Sequence, residues 1–323
     1  MSRAARAIVL ALVSALFFTM TYVLNRASVG GGGGGAWQWT VILRYAFTLP
    51  FLGVALPFAG GLGSLPAELR RHPRAWLTWS TVGFVLFGIP LTWAASSGPS
   101  WLIAGSFSAT VLAGPLLAPF IYRDERRRVA WQALAVGLVI IAGILALQWS
   151  HASGHLDARA WWAVAAVVFA AFAYPLGNRM VLLHLERTGT PVGALQRVFG
   201  MTLCSWPAWL VLAAVTWWTI GPPTPRVVVL AAGVALSSGV IATVLFFKAT
   251  HMVGRQPVAL AAVEAMQAAE LLFATVLGVS FLGEAWPHGI AAWGAVAIML
   301  GIAAFSWISA REKVPVVEGD RGA

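Results

Sequence analysis

Runs of about twenty apolar residues follow one another along the chain, separated by short polar stretches. A run of that length crosses the hydrocarbon core of a bilayer as one α-helix. Ten spans are predicted, near residues 6–25, 37–59, 75–94, 100–121, 129–148, 160–183, 193–218, 226–249, 257–282 and 288–309. The polar breaks alternate in charge. One set holds Arg3 and Arg6, then Arg70, Arg71 and Arg74, then Arg123, Arg126, Arg127 and Arg128, then Arg187, Arg255, Arg311 and Lys313. The other holds little beyond Arg26, Arg159 and Arg226. The positive-inside rule then puts both termini in the cytoplasm. Trp37, Trp39, Trp217 and Trp218 fall near predicted span ends, where an aromatic belt is expected.

The pattern repeats. Shifted by 153 residues, Ala5-Arg6-Ala7 falls on Ala158-Arg159-Ala160, Asn25-Arg26 on Asn178-Arg179, and Arg44 on Arg197. Five spans per half is an odd number, so the second half must enter the membrane upside down. The expected fold class is an all-α integral membrane protein, ten transmembrane helices in a five-plus-five inverted repeat. Residues 1–150 form the first repeat, 151–313 the second, and 314–323 a cytoplasmic tail. In such transporters the substrate site lies near the midplane, where the halves meet. Arg26 and Arg179 are expected to snorkel at span ends. Arg44 lies roughly 10 Å past Trp37 along its helix and is expected to be buried, facing a carboxylate or water. Arg197, its counterpart, is placed toward the opposite end of the same pathway.

The ninth span carries the strongest chemical signal. Glu264, Gln267 and Glu270 interrupt an alanine-rich run and fall within a stripe of about 120° on a helix. A carboxylate at membrane depth costs about 2.5–3.5 kcal/mol on insertion scales, so such a stripe must face protein or water. Its alternatives are a proton or substrate site and a fixed ion pair that holds helices together. Lys248 in the eighth span is a candidate partner for Glu264. Tyr22, Trp93, Phe107 and Tyr174 are candidate aromatics for stacking on a flat or cationic substrate. The fourth span, counterpart of the ninth, has Ser106, Ser108, Thr110, Pro115 and Pro119 but no acid in its core.

Composition narrows the classes. The chain is 59% hydrophobic and 10% charged, with a mean hydropathy of +0.81. Its net charge of +10 sits in short loops, so it reports topology and not nucleic-acid binding. Arg3 and Arg6 precede an apolar run as in a signal peptide, but no convincing cleavage site follows, and the run reads as the first span. The glycine run at 30–35 reads as a flexible linker, with no Gly-Lys-Ser/Thr after it to make a phosphate loop. One cysteine, Cys204, excludes a disulfide framework, and His151 with His155 lacks further ligands. No cofactor, metal or catalytic constellation is expected, so the chain is not read as an enzyme.

FFTMTYVLNR (17–26), WQWTVILRYAFTLPFL (37–52), YPLGNRM (174–180) and LQRVFGMTLCSWPAWL (195–210) resemble the multidrug resistance efflux transporter family of the drug/metabolite transporter superfamily. The resemblance covers both halves and implies ten helices, a five-plus-five inverted repeat and export of small molecules. Small four-helix exporters related to that family use a glutamate in their first helix. This chain has no acid in its first span, so no site residue is carried over.

The expectation is therefore a secondary active exporter in a bacterial cytoplasmic membrane, working as a monomer or homodimer. Protons are the expected coupling ion and cationic or amphipathic compounds the expected substrates. Glu264, Gln267 and Glu270 would form the pathway with Arg44, Arg197 and Lys248. An amino-acid or other metabolite exporter is the alternative, with the arginines binding a carboxylate or phosphate. A non-transporting scaffold is the reading from another class, and it gives no use to charges inside the bilayer.

Overall fold

In a bilayer every backbone N–H and C=O must be paired within its own segment, and the apolar runs accordingly fold as helices. The computed structural model describes residues 3–29, 37–97, 100–128, 130–148, 158–282 and 286–311, and every regular element among them is helical. The glycine run at 30–35, His151, His155, Glu284 and the chain after Arg311 lie outside the described residues. So do the side chains of Tyr22 and Arg26.

Helices α1 (Arg3–Val29) and α2 (Trp37–Ala55) are the first two spans. A short helix, α3 (Leu65–Arg71), precedes α4 (Pro73–Ser80) and α5 (Leu86–Ser97), which together make the third. Next come α6 (Ser100–Phe107), α7 (Thr110–Ile121) and α8 (Trp131–Gln148). The second half contains α9 (Ala158–Thr188), α10 (Ala194–Ile220), α11 (Pro225–Val234), α12 (Thr243–Val253), α13 (Pro257–Ala265), α14 (Ala269–Leu282) and α15 (Ile290–Arg311).

Nine helical stretches among the described residues are long and apolar enough to cross a membrane. The fourth predicted span differs: only the shorter Gly105–Ile121 qualifies as an apolar stretch there. Its helix breaks between α6 and α7, where Ser108 N bonds Gly105 O and Ala109 N bonds Ser106 O, three residues back instead of four. The cause is local polarity. Thr110 Oγ1 donates to Phe107 O at 2.7 Å, and such hydroxyls compete with the helical ladder. The ninth span is also interrupted, by a 3-10 turn at Met266–Ala268.

Two other spans carry π-helical segments, Thr81–Val85 between α4 and α5 and Ala235–Ala242 between α11 and α12. Each holds a glycine against a neighbouring helix. A Cβ on Gly83 would meet Gly177 Cα at 3.2 Å, and one on Gly239 would overlap Thr48 Oγ1. Close backbone approach through small residues is how helices associate where lipid removes the hydrophobic drive. Helix pairing follows a regular scheme: α1 packs on α12 and α9 on α5, while α2 pairs with α10, α7 with α13 and α8 with α15.

The bundle has two ends. At one, here termed the base, Arg126 bridges Asp124 (2.5 Å) and Glu186 (2.9 Å), tying the α7–α8 connection to the end of α9. At the other, the rim, Trp39 Nε1 donates to Gly221 O at 2.9 Å.

Candidate functional site

Charged and hydroxylated residues recur every fourth position on one face of α2: Thr40, Arg44 and Thr48. That face lines a cavity of about 140 Å³ between the halves, running from mid-bundle toward the rim, where Ala95 is exposed. Opposite α2 stand Ser238 and Gly239 of the π segment, and Gln267 and Glu270 of the ninth span. Arg44 and Glu270 are the charged side chains of this wall. Arg44 Nη2 donates to Ser238 Oγ at 2.8 Å, which steers the guanidinium across the cavity. Gln267 Oε1 is buried and has no hydrogen-bond partner among the described residues.

The 3-10 turn explains why Gln267 and Glu270 share the cavity. Side chains three apart eclipse in 3-10 geometry, so the turn stacks these two along one line. Glu264, one step earlier, stands apart. It is fully buried and accepts two hydrogen bonds from Arg179, Nε to Oε1 and Nη2 to Oε2, each 2.7 Å. A Cβ on Gly114 would overlap both Glu264 Oε2 and Arg179 Nη2, so α7 leaves room for the pair only because it has glycine there.

Several sequence expectations are thereby corrected. Glu264 does not line the cavity; it is the fixed-pair alternative. Lys248 is exposed, so it neither partners Glu264 nor reaches the cavity. Arg179 does not snorkel; it is 2% exposed and spends its charge on Glu264. Trp93 packs against the cluster of Ala94, Ile103, Ala163 and Val167 and is not among the residues that line the cavity. Tyr174 does line it, together with Phe84, Phe87 and Phe107.

Below the cavity the rings close up. Tyr45 stacks on Trp209 at 4.5 Å and contacts Phe84 at 5.4 Å, and Phe84 in turn meets Phe247 at 6.3 Å. Arg197 lies on the base side of this layer, its guanidinium 4.8 Å from the Phe247 ring. It is fully buried. Nη2 donates to Phe247 O at 2.6 Å, while Nε and Nη1 have no partner among the described residues. Arg44 thus lines the cavity, and Arg197 does not. Sequence reasoning missed the site roles of Ser238, Gly114 and Phe247; a serine, glycine or phenylalanine in an apolar run carries no signal before its neighbour is known.

Chemically, a carboxylate among aromatic rings binds an organic cation through charge and cation–π contact, or takes up a proton instead. A guanidinium on the facing wall serves an anionic group.

Comparison with known proteins agrees with this architecture. An uncharacterized protein of Bacillus subtilis (strain 168), YjlA, is 41% identical over 317 residues, covering 95% of this chain and 96% of its own. An uncharacterized 42.1 kDa protein of Shouchella clausii is 37% identical over 285 residues, covering 86% of this chain and 74% of its own. One crystal structure shares the fold at a TM-score of 0.70 and 17% identity, covering 94% of this chain and 98% of its own. The family described as "EmrE: Putative multidrug resistance efflux transporter" matches residues 5–311. The chain belongs to that family of multi-pass membrane transporters, whose members move small molecules across a bilayer and are not enzymes.

Proposed function

We propose that the protein is a secondary active exporter that carries small cationic or amphipathic molecules outward in exchange for protons. The observation that carries this reading is Glu270 in the wall of an aromatic cavity at mid-bundle. A buried carboxylate is costly to leave charged and alone. A cation or a proton relieves that cost, and the two compete for the same oxygen atoms. Competition of that kind couples one flux to the other.

The proposed architecture is ten helices in two inverted halves, 1–150 and 151–313, with 314–323 as a cytoplasmic tail. The pairing scheme supports it: a two-fold axis exchanging the halves maps the α1–α12 contact onto α9–α5 and leaves α2–α10, α7–α13 and α8–α15 unchanged. The third and eighth spans share π segments, and the fourth and ninth share interruptions. With both termini cytoplasmic, as the arginine-rich loops favour, the rim faces outward and this is the outward-facing state. One chain encloses the cavity, so a monomer suffices. The relatives in Bacillus subtilis and Shouchella clausii favour a bacterial cytoplasmic membrane.

Arg44 favours a second reading, export of an amino acid or similar metabolite. A zwitterion would place its ammonium at Glu270 and its carboxylate at Arg44. The cavity volume of about 140 Å³ points the same way, since pockets for drug-sized ligands run to roughly 300–1,000 Å³.

The test is transport by purified protein in liposomes under an imposed pH gradient, with cationic dyes and amino acids as substrates. Glu270→Gln is expected to abolish gradient-driven accumulation. Unchanged accumulation in that variant would overturn the proton-exchange reading. Amino-acid movement lost in Arg44→Gln, with no dye movement in wild type, would select the second reading.

A further inference from the structure

The base of the bundle holds a second cluster with its own chemistry. Glu68 and His72 are four residues apart across α3 and its C-terminal cap, so both project from one side. His184, in the last turns of α9, meets them: its Nε2 lies 2.7 Å from Glu68 Oε1, and its ring centroid 4.9 Å from that of His72. One ligand atom from each of the three residues lies within 4.8 Å of the others. Thr190 Oγ1 donates to Glu68 Oε2 at 2.8 Å and fixes the carboxylate.

We propose that Glu68, His72 and His184 bind a divalent transition-metal ion of the zinc type. Two imidazoles and a carboxylate make a three-ligand set that suits zinc and leaves a fourth position open. Tetrahedral zinc with bonds of about 2.0–2.2 Å spaces its ligand atoms roughly 3.4 Å apart. One spacing is 2.7 Å and all lie within 4.8 Å, on either side of that value. Glu68 is buried whereas both histidines are half-buried, which gives an ion and a bound water access from solvent. Thr190 already supplies the supporting hydrogen bond that metal-binding carboxylates use.

The location gives the ion a role. Glu68 and His72 come from the connection between α2 and α4, and His184 from α9 of the other half. The same connection is also tied to the residues that follow α9: Ser64 Oγ donates to Pro191 O at 2.6 Å, and Gln196 Nε2 of α10 donates to Gly61 O at 2.9 Å. Resting on the exporter reading, in which the base opens when the rim closes, a bound ion clamps the base and arrests transport.

Binding is measured on tag-free protein in detergent by zinc titration calorimetry, with cobalt absorbance as a report of tetrahedral geometry. Wild type is expected to bind one equivalent, and zinc to raise its thermal midpoint. His72→Gln and His184→Gln are each expected to weaken binding about tenfold or more. A His151→Gln/His155→Gln variant is expected to bind as wild type. Glu68→Gln also removes a buried group, so the histidine variants carry the test. No binding in wild type, or binding as tight as wild type in both histidine variants, overturns the site. In liposomes, zinc is expected to arrest wild type and spare His72→Gln. Binding with no transport of any probe would sink the exporter reading and leave the metal site standing.

Discussion

Arg179 grips both carboxylate oxygens of Glu264 at 2.7 Å, from α9 to α13, in a site that Gly114 of α7 leaves open. Three spans meet at this one buried pair. Breaking a buried pair by removing one partner costs about 3–5 kcal/mol, because the other charge is stranded. Glu264→Gln and Arg179→Met are therefore each expected to lower the thermal midpoint sharply. The double replacement Arg179→Met/Glu264→Leu is expected to recover most of that loss. A thermal-shift series in detergent reads this directly; a Glu264→Gln protein as stable as wild type would show that the pair holds nothing together.

Arg44 differs from Arg179 in having a hydroxyl partner, Ser238, in place of a carboxylate. Ser238→Ala removes one hydrogen bond and frees the guanidinium to swing within the cavity. A bond from a charged donor contributes about 1.5–3 kcal/mol, so roughly tenfold or more in apparent substrate affinity is at stake for an anionic or zwitterionic substrate. For a purely cationic substrate the same variant is expected to change affinity much less. Concentration dependence of uptake in liposomes separates the two cases.

At the base, the Arg126 guanidinium hydrogen-bonded to Asp124 holds that carboxyl below its ordinary range. A depressed carboxylate stabilises the fold above its unfolded value, and that contribution is lost as pH falls through the folded one. The effect is small, since the Asp124 side chain is 52% exposed and solvent screens it. Asp124→Asn is expected to leave stability near pH 7 almost unchanged and to flatten the acid limb below about pH 4. Thermal midpoints across an acid series check it; a large loss at neutral pH would contradict the screening argument.

Much of the fold was legible because membrane insertion leaves few choices. The predicted ends 37, 226, 257 and 288 fall within two residues of the observed helix starts Trp37, Pro225, Pro257 and Ile290. A twenty-residue apolar run has one way to pair its backbone, and its length sets its limits. The break in the fourth span escaped because hydropathy does not register Thr110 bonding to Phe107 O. The candidate site was half legible. Steps of three put Glu264, Gln267 and Glu270 on one stripe, but which neighbour each meets depends on packing between halves. A stripe of acids reads the same whether an arginine or a cavity faces it, and Arg179, the residue that decides, lies 85 positions from Glu264.

Arg197 is the remaining buried charge, and its environment is lopsided. One N–H group bonds Phe247 O, two have no partner among the described residues, and the Phe247 ring lies 4.8 Å from the guanidinium. Such a charge is costly to keep, so Arg197→Met is expected to stabilise this state by a measurable rise in thermal midpoint. If Arg197 is the base-side counterpart of Arg44, that gain comes at the expense of turnover: the state in which Arg197 faces solvent loses its charge. Phe247→Ala is expected to act oppositely, removing a ring that packs on both Phe84 of the cavity wall and Arg197, and so leaking protons down an imposed gradient. Both variants can be measured in the same vesicles, with thermal midpoint, turnover and passive proton flux as readouts. Arg197→Met that is more stable and equally fast would mean the guanidinium serves neither fold nor transport.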